Sequence, residues 1–255
     1  MSSRFKALAL PVAILLILEG VVRAGWLPAY QMPAPSDVLL TLRDLAEGAL
    51  WKHIGASLAR VLAGFVIGAS LALVFAAWVG LSREAEAYLA PTFAGLRSIP
   101  SLAWVPLLLL WLGIDETSKV VLIAIGAFFP VYHNGVAAIR DIDRKLVEVG
   151  RIYGFNRWQL VRRILLPAAL PGLFTGLRSG LSLAWMFLVA AELIAATRGL
   201  GYLLSDGRET SRPDIVLAAI IVLALLGKLS DGLLAALEKR CLGWRDTFTG
   251  QPAEG

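Results

Sequence analysis

Apolar residues in this chain are gathered into long runs that are separated by short polar segments. A membrane-spanning helix needs about 20 consecutive, predominantly apolar residues. Runs of roughly that size cover about residues 7–22, 58–81, 88–112, 120–138, 171–196 and 215–234. The pattern predicts an all-α fold, a polytopic membrane helical bundle of about six transmembrane helices, in which residues 1–255 form a single transmembrane domain.

The first run is short, follows Arg4 and Lys6, and contains one acidic residue, Glu19. A positive start before a short apolar core is also typical of a cleaved signal peptide. The count of six spans needs this helix, so we interpret it as a membrane span.

The third run is irregular. It is interrupted by Pro91, Pro100 and Pro106. It also contains a cation, Arg97, well inside its apolar part. Broken helix at membrane depth is tolerated only against protein or water, which makes the segment 97–104 a candidate pathway lining, with Ser101 and Trp104 shaping the route. The alternative is that Arg97 snorkels to the membrane surface while the prolines kink a packed helix.

Other charges lie within the last two runs. Arg178 and Glu192 lie near opposite ends of the fifth run and are further candidate pathway residues. Arg178 is equally suited to pair with a carboxylate or to face the cytoplasmic surface. The position of Glu192 near the outer end favours a structural role, in which it holds the Gly-Leu-Gly-Tyr loop at 199–202. In the sixth run Lys228 and Asp231 are one helical turn apart, which predicts an ion pair.

A basic excursion, residues 140–167, separates the fourth and fifth runs. Gly154 is expected to divide its second part into two short helical arms, and Pro167 is expected to stop the second arm before the next span. On that arm an apolar ridge recurs at helical spacing opposite the arginines: Leu160, Val161, Ile164 and Leu165. Such a ridge suits insertion into a partner's groove.

Composition and charge support the membrane class and set an orientation. The chain is 58% hydrophobic and only 17% charged, with a mean hydropathy of +0.72, which excludes an ordinary soluble domain. The net charge of +5 therefore indicates topology rather than nucleic-acid binding. Of the 24 Lys and Arg residues, thirteen fall in the segments that share a side with the central excursion. Both termini and the excursion are expected to be cytoplasmic.

Enzymatic motifs are missing from the sequence. It has no G-x-x-x-x-G-K-[S/T] phosphate loop, no G-x-S-x-G elbow and no H-E-x-x-H pair. One cysteine and two distant histidines do not predict a metal site. We therefore expect no catalytic residue and no cofactor in this chain, and a transport function that is driven from outside it.

The same residues are less typical of two other classes of membrane protein. A secondary transporter driven by an ion gradient usually shows two related halves, but no internal repeat is clear here, and the central excursion would be unexplained. A membrane scaffold would need no broken span.

The central excursion resembles the cytoplasmic "EAA" loop of ABC-importer permeases, which docks on the ATPase subunit. The resemblance is carried by the spacing of Glu148, Gly154, Ile164 and the Leu166-Pro167 pair. Where the family pattern has two alanines, this sequence has Val149 and Gly150. By this resemblance, the residues that couple to the ATPase are Glu148, Gly154, Leu160, Val161, Ile164, Leu166 and Pro167.

Almost the whole chain from Met32 is similar to permeases of aliphatic sulfonate importers, in the group that also serves taurine and nitrate. The segments that carry the similarity are 33–36, 97–106, 110–117, 139–148, 191–192, 199–202 and 224–231. The similarity implies a type I ABC-importer permease in the bacterial inner membrane, with a role in sulfur metabolism. It also implies a homodimer with two cytoplasmic ATPase subunits that bind ATP and Mg, and a periplasmic substrate-binding protein.

Overall fold

The computed structural model describes residues 3–28 and 30–244, apart from the side chains of residues 3–8, 101 and 195. This part of the chain is helical and contains no strand. Its α-helices are α1 (Ser3–Arg23), α2 (Pro35–Glu47), α3 (Leu50–Leu81), α4 (Arg83–Ser98), α5 (Trp104–Leu112), α6 (Glu116–Arg140), α7 (Arg144–Ile152), α8 (Arg157–Leu160), α9 (Leu166–Ala195), α10 (Leu200–Glu209) and α11 (Pro213–Cys241). A 3-10 turn at Ser101–Ala103 precedes α5, and a π-turn at Val161–Leu165 joins α8 to α9.

Four helices of the described residues are long and apolar enough to cross a membrane. They are Leu50–Leu81, Glu116–Arg140, Arg157–Ile194 and Pro213–Cys241. The all-α, polytopic membrane class predicted from the apolar runs is confirmed. The first and third predicted spans are not among these four helices, and the count of six stays a prediction.

The third predicted span is broken at one of its three prolines, Pro100, whereas Pro91 lies within α4 and Pro106 within α5. Helix α4 ends at Ser98, and Ile99 is extended, with φ −72° and ψ 124°. A residue that precedes proline is disfavoured in the α conformation because the proline ring clashes with its backbone, which explains the stop before Pro100. The 3-10 turn then leads into α5.

The chain divides into two compact units. One takes the chain up to Leu62, Val105–Leu122 and Met186–Gly227. Its apolar cluster consists of Leu50, Leu200, Leu203, Ile215, Ala219 and Val222. The other takes Ala63–Trp104, Ile123–Trp185 and the chain from Lys228. Its cluster consists of Ala69, Ala72, Ala76, Val79, Ala85, Val131 and Tyr132.

Small residues set the helix spacing in the second unit. A Cβ atom added to Gly176 would lie 2.9 Å from the Cβ atom of Asn134, and one added to Gly180 would lie 2.6 Å from Cγ2 of Val131. These glycines of α9 therefore let the backbone of α6 approach closely, as is common where membrane helices pack.

Candidate coupling loop and pathway residues

The first arm of the central excursion is helix α7, which has a defined start and end. The Asp143 carboxylate accepts a hydrogen bond from the backbone N–H of Lys145 at 2.9 Å, which caps the start of the helix. At the other end Gly154 has φ +70°, and the N–H of Phe155 donates to the carbonyl oxygen of Gly150 at 3.0 Å. A left-handed residue favours glycine, so the turn between the arms lies at Gly154.

The second arm is not a separate helix. Asn156 and Gln159 form a reciprocal capping box, with hydrogen bonds of 2.8 and 3.0 Å, at the start of α8. From there helical structure continues from Arg157 to Ile194. The prediction that Pro167 stops this arm is wrong. The preceding π-turn, in which the N–H of Leu166 donates to Val161, provides the extra backbone room that a proline ring needs within a helix.

The predicted apolar ridge faces partly into the loop itself. Gly150 is buried, and a Cβ atom added there would clash with Cδ1 of Ile164 and lie 3.7 Å from Cδ1 of Leu160. The four ridge residues are half-buried, whereas Leu166 is exposed. The small residue at position 150 thus lets the first arm pack against the second.

A second set of apolar side chains, not predicted from the sequence, is exposed on this loop. We call it the α7 patch; it consists of Leu146, Val149, Ile152, Tyr153 and Trp158. The spacing of Leu146, Val149 and Ile152 by three residues was the available signal, since residues three apart share a helix face. Glu148 is exposed beside this patch, and its carboxylate makes no ion pair with the residues that the structure describes.

Arg97 lies in the last turn of α4, and its side chain is exposed. Its guanidinium forms neither an ion pair nor a hydrogen bond with the described residues. It borders an open cavity together with His133. The side chain of Ser101 lies outside the described part. The Trp104 indole N–H is buried and has no hydrogen-bond partner in that part; a buried polar group in this condition is unusual in folded proteins.

Arg178, by contrast, is compensated by acids. Its Nε and Nη2 atoms donate to the two carboxylate oxygens of Asp231 at 2.8 and 2.9 Å, and Nη1 lies 3.4 Å from Glu238. Two parallel bonds of this kind are geometrically specific. The predicted Lys228–Asp231 pair is wrong, because the Asp231 carboxylate is used by Arg178.

Glu192 is 1% exposed and is the centre of a polar cluster in the first unit. Its carboxylate accepts hydrogen bonds from the Ser57 hydroxyl at 2.8 and 2.9 Å, from Nη1 of Arg60 at 2.7 Å and from the N–H of Gly201 at 2.8 Å. Glu192 therefore contacts the start of α10, because the structure places Gly199 directly before this helix and Leu200 and Gly201 within it, where the sequence predicts a turn.

Arg60 extends this cluster to α6. It is 4% exposed, and it donates to both carboxylate oxygens of Glu116 at 2.5 and 2.7 Å and to the carbonyl oxygen of Arg198 at 2.6 Å. Lys119 is also buried and lies 3.3 Å from Glu116. Two cations and two anions are thus balanced. A buried charge requires this pairing.

The family described as "Binding-protein-dependent transport system inner membrane component" matches residues 64–242. The chain belongs to this family. The permease is 42% identical to the aliphatic sulfonates transport permease protein SsuC of Bacillus subtilis (strain 168) over 246 residues, 96% of this chain and 89% of the relative. It is also 42% identical to SsuC of Escherichia coli (strain K12) over 240 residues, 94% of this chain and 91% of the relative.

A solved structure shares the fold of the permease. A chain of the MetNI methionine ABC transporter, in an inward-facing conformation, has a TM-score of 0.66 at 22% identity. The match covers 75% of this chain and 95% of that chain. The predicted fold class, that of a type I ABC-importer permease, is confirmed, and the protein is a multi-pass component of the inner membrane.

Proposed function

We propose that this permease is the transmembrane subunit of an ATP-driven importer of aliphatic sulfonates. The observation that carries the proposal is the 42% identity, over 96% of this chain, to a permease named for these substrates. The similarity extends over nearly the whole chain, so it includes the segments that would line a pathway. It also includes the central excursion, residues 140–167, which we call the coupling loop.

The importer is completed by other chains. The family description names a dependence on a binding protein, and the sequence has no phosphate loop with which to hydrolyse ATP. The proposed assembly is a homodimer of permeases with two cytoplasmic ATPase subunits, which bind ATP and Mg, and a periplasmic binding protein that delivers the substrate. This chain itself is not an enzyme, and both of its termini are cytoplasmic.

The coupling loop transmits movement of the ATPase to the membrane helices. The α7 patch and Glu148 offer exposed apolar area and an unpaired charge to the partner. The half-buried ridge of the second arm packs against α7 at Gly150 and so holds the first arm in place. Because helical structure runs from Arg157 to Ile194, a displacement of the loop moves α9 without an intervening hinge. ATP binding closes the ATPase pair and turns the pathway outward, and hydrolysis resets it.

The pathway is lined by Arg97, Ser101 and Trp104. Arg97 has no acidic partner among the described residues, and a cation of this kind attracts an anion in a low-dielectric setting. Arg178 and Glu192 are already neutralised by Asp231 and Arg60. Their geometry supports a structural role beside the pathway rather than contact with the substrate.

Uptake measurements test the proposal. A strain that lacks the gene is complemented with it, and the uptake of labelled ethanesulfonate, taurine and nitrate is compared with that of an empty-vector control. We expect ethanesulfonate uptake to be restored, and to require ATP rather than a proton gradient. Restoration of taurine or nitrate uptake alone would reject the sulfonate assignment. Uptake abolished by a proton ionophore while ATP is maintained would indicate a gradient-driven transporter.

A further inference from the structure

A cavity in the second unit combines apolar walls with cationic side chains. Its volume is about 290 Å³, close to the lower end of the range for small-molecule sites. Phe93 and Phe129 contribute aromatic wall, and Ala90 and Ala94 on α4 leave space. The ring of Phe93 packs 4.7 Å from that of Tyr132, within a cluster of aromatic side chains.

The charges at this cavity are not balanced. Arg97 and Arg140 both border it. Arg140 is paired with Glu86 and donates to the carbonyl oxygen of Val79 at 3.2 Å. Arg97 has no counterpart of this kind in the described part of the chain. The cavity therefore carries an excess positive charge at the Arg97 end.

His133 of α6 is the second polar group available in the cavity. Its side chain is exposed and lines the same cavity as Arg97, but neither ring nitrogen bonds to another described residue. An imidazole always carries at least one N–H donor. Arg97 and His133 thus provide guanidinium donors and one further donor at the lining of the same cavity, from two different helices.

We propose that this cavity is a binding subsite for the charged head of a small amphiphilic oxoanion, such as an alkanesulfonate, with Arg97 and His133 as its ligands; this rests on the proposed function. A sulfonate spreads one negative charge over three oxygen atoms. Two of them suit the planar fork of Arg97, and the third suits the His133 N–H. The aliphatic tail lies against Phe93 and Phe129.

Thiol labelling reads the cavity directly, without relying on transport. Ala94→Cys is made in a Cys241→Ser background, since Cys241 is the chain's single cysteine. Membranes that contain the full chain are treated with a methanethiosulfonate that carries either a sulfonate or a trimethylammonium group. We expect the anionic reagent to label Ala94→Cys faster than the cationic reagent does, when each rate is divided by the rate of the same reagent with a free thiol in solution. Arg97→Gln is expected to lower this ratio of rates about tenfold.

Protection by ligand identifies the chemistry and the role of His133. Ethanesulfonate is expected to slow the labelling of Ala94→Cys, whereas neutral diethyl sulfone does not. The protection is lost in Arg97→Gln and weakened in His133→Leu, and His133→Gln restores it because its amide keeps an N–H donor. Two variants are matched controls. Gly95→Cys lies on the same helix but outside the cavity, and ethanesulfonate should not slow its labelling. Arg83→Gln removes a cation at the start of α4 and should leave the protection of Ala94→Cys unchanged.

The outcomes separate this proposal from the proposed function. Ethanesulfonate uptake without protection of Ala94→Cys would overturn the subsite and leave the importer intact. Protection without uptake would support the subsite and reject the importer. Equal labelling by the two reagents, with or without Arg97, would overturn the assignment of Arg97 as a ligand in this cavity.

Discussion

Glu192 shows how one buried carboxylate organises the first unit. It accepts hydrogen bonds from a hydroxyl, a guanidinium and a backbone N–H, so its buried negative charge is compensated. The position of Glu192 before the segment 199–202 favoured a role in holding that segment, which the structure places at the start of α10 rather than in a turn. Its partner Arg60 was not predictable, because the two residues are 132 positions apart and Arg60 lies near the start of an apolar run.

Removing the charge of Glu192 is expected to destabilise the permease. Glu192→Gln keeps the shape and an acceptor but leaves Arg60 short of one anion, which costs about 3 kcal/mol for a broken buried pair. The free energy of unfolding is measured in detergent titrations of the purified chain. Glu47→Gln is the control, because its pair with Arg43 is exposed and is worth less than about 1 kcal/mol. Equal effects of the two substitutions would contradict the role of Glu192.

Gly199, which directly precedes α10, is the second residue on which this segment depends. It has φ +134°, and a Cβ atom added there would clash with the Glu192 carboxylate. Gly199→Ala is therefore expected to lower the free energy of unfolding by at least about 2 kcal/mol, from backbone strain and from the clash. Gly55→Ala is the control: it lies within α3, where a Cβ atom meets nothing within 4 Å, and it should raise the free energy of unfolding by about 0.5–1 kcal/mol because alanine is the better helix former. If Gly199→Ala left the free energy of unfolding unchanged, the backbone at this position would be able to adopt another conformation without cost.

Among the elements, the coupling loop departs most from its sequence-based expectation. The turn at Gly154 was predictable, since glycine tolerates the left-handed conformation that ends a helix. The continuity of α8 with α9 was not, because Pro167 ordinarily ends a helix and a π-turn has no simple sequence pattern. The α7 patch was overlooked in favour of a ridge that packs on Gly150.

The turn itself can be tested by a pair of substitutions at Gly154. A Cβ atom there meets nothing within 4 Å, so only the backbone conformation, φ +70°, restricts the residue. Asparagine adopts this region readily and a β-branched residue does not. We expect Gly154→Val to reduce ATPase stimulation by the loaded binding protein in the reconstituted importer, and Gly154→Asn to retain most of it. Intact coupling in Gly154→Val would show that the turn conformation at this residue is not needed for coupling.

At the scale of the whole molecule, the apolar runs predicted the membrane class and four long helices bear it out. What sequence alone could not supply is the pairing of charges within those helices. Arg97 and Arg178 look alike in the sequence, yet one borders a cavity and the other is bound to Asp231. The distinction depends on which acid a neighbouring helix brings near, and hydropathy does not encode it.

Orientation is the remaining property of the whole molecule, and the chain offers its own reporter. Cys241 ends α11, is exposed, and is the single cysteine of the sequence. Because the excess of basic residues indicates cytoplasmic termini, a membrane-impermeant maleimide is expected to leave Cys241 unmodified in spheroplasts and to modify it in inverted vesicles. Tyr30→Cys in a Cys241→Ser chain, at an exposed position in a predicted outer loop, should show the reverse. Modification of Cys241 in intact spheroplasts would invert the topology and place the coupling loop on the side of the membrane that has no ATP.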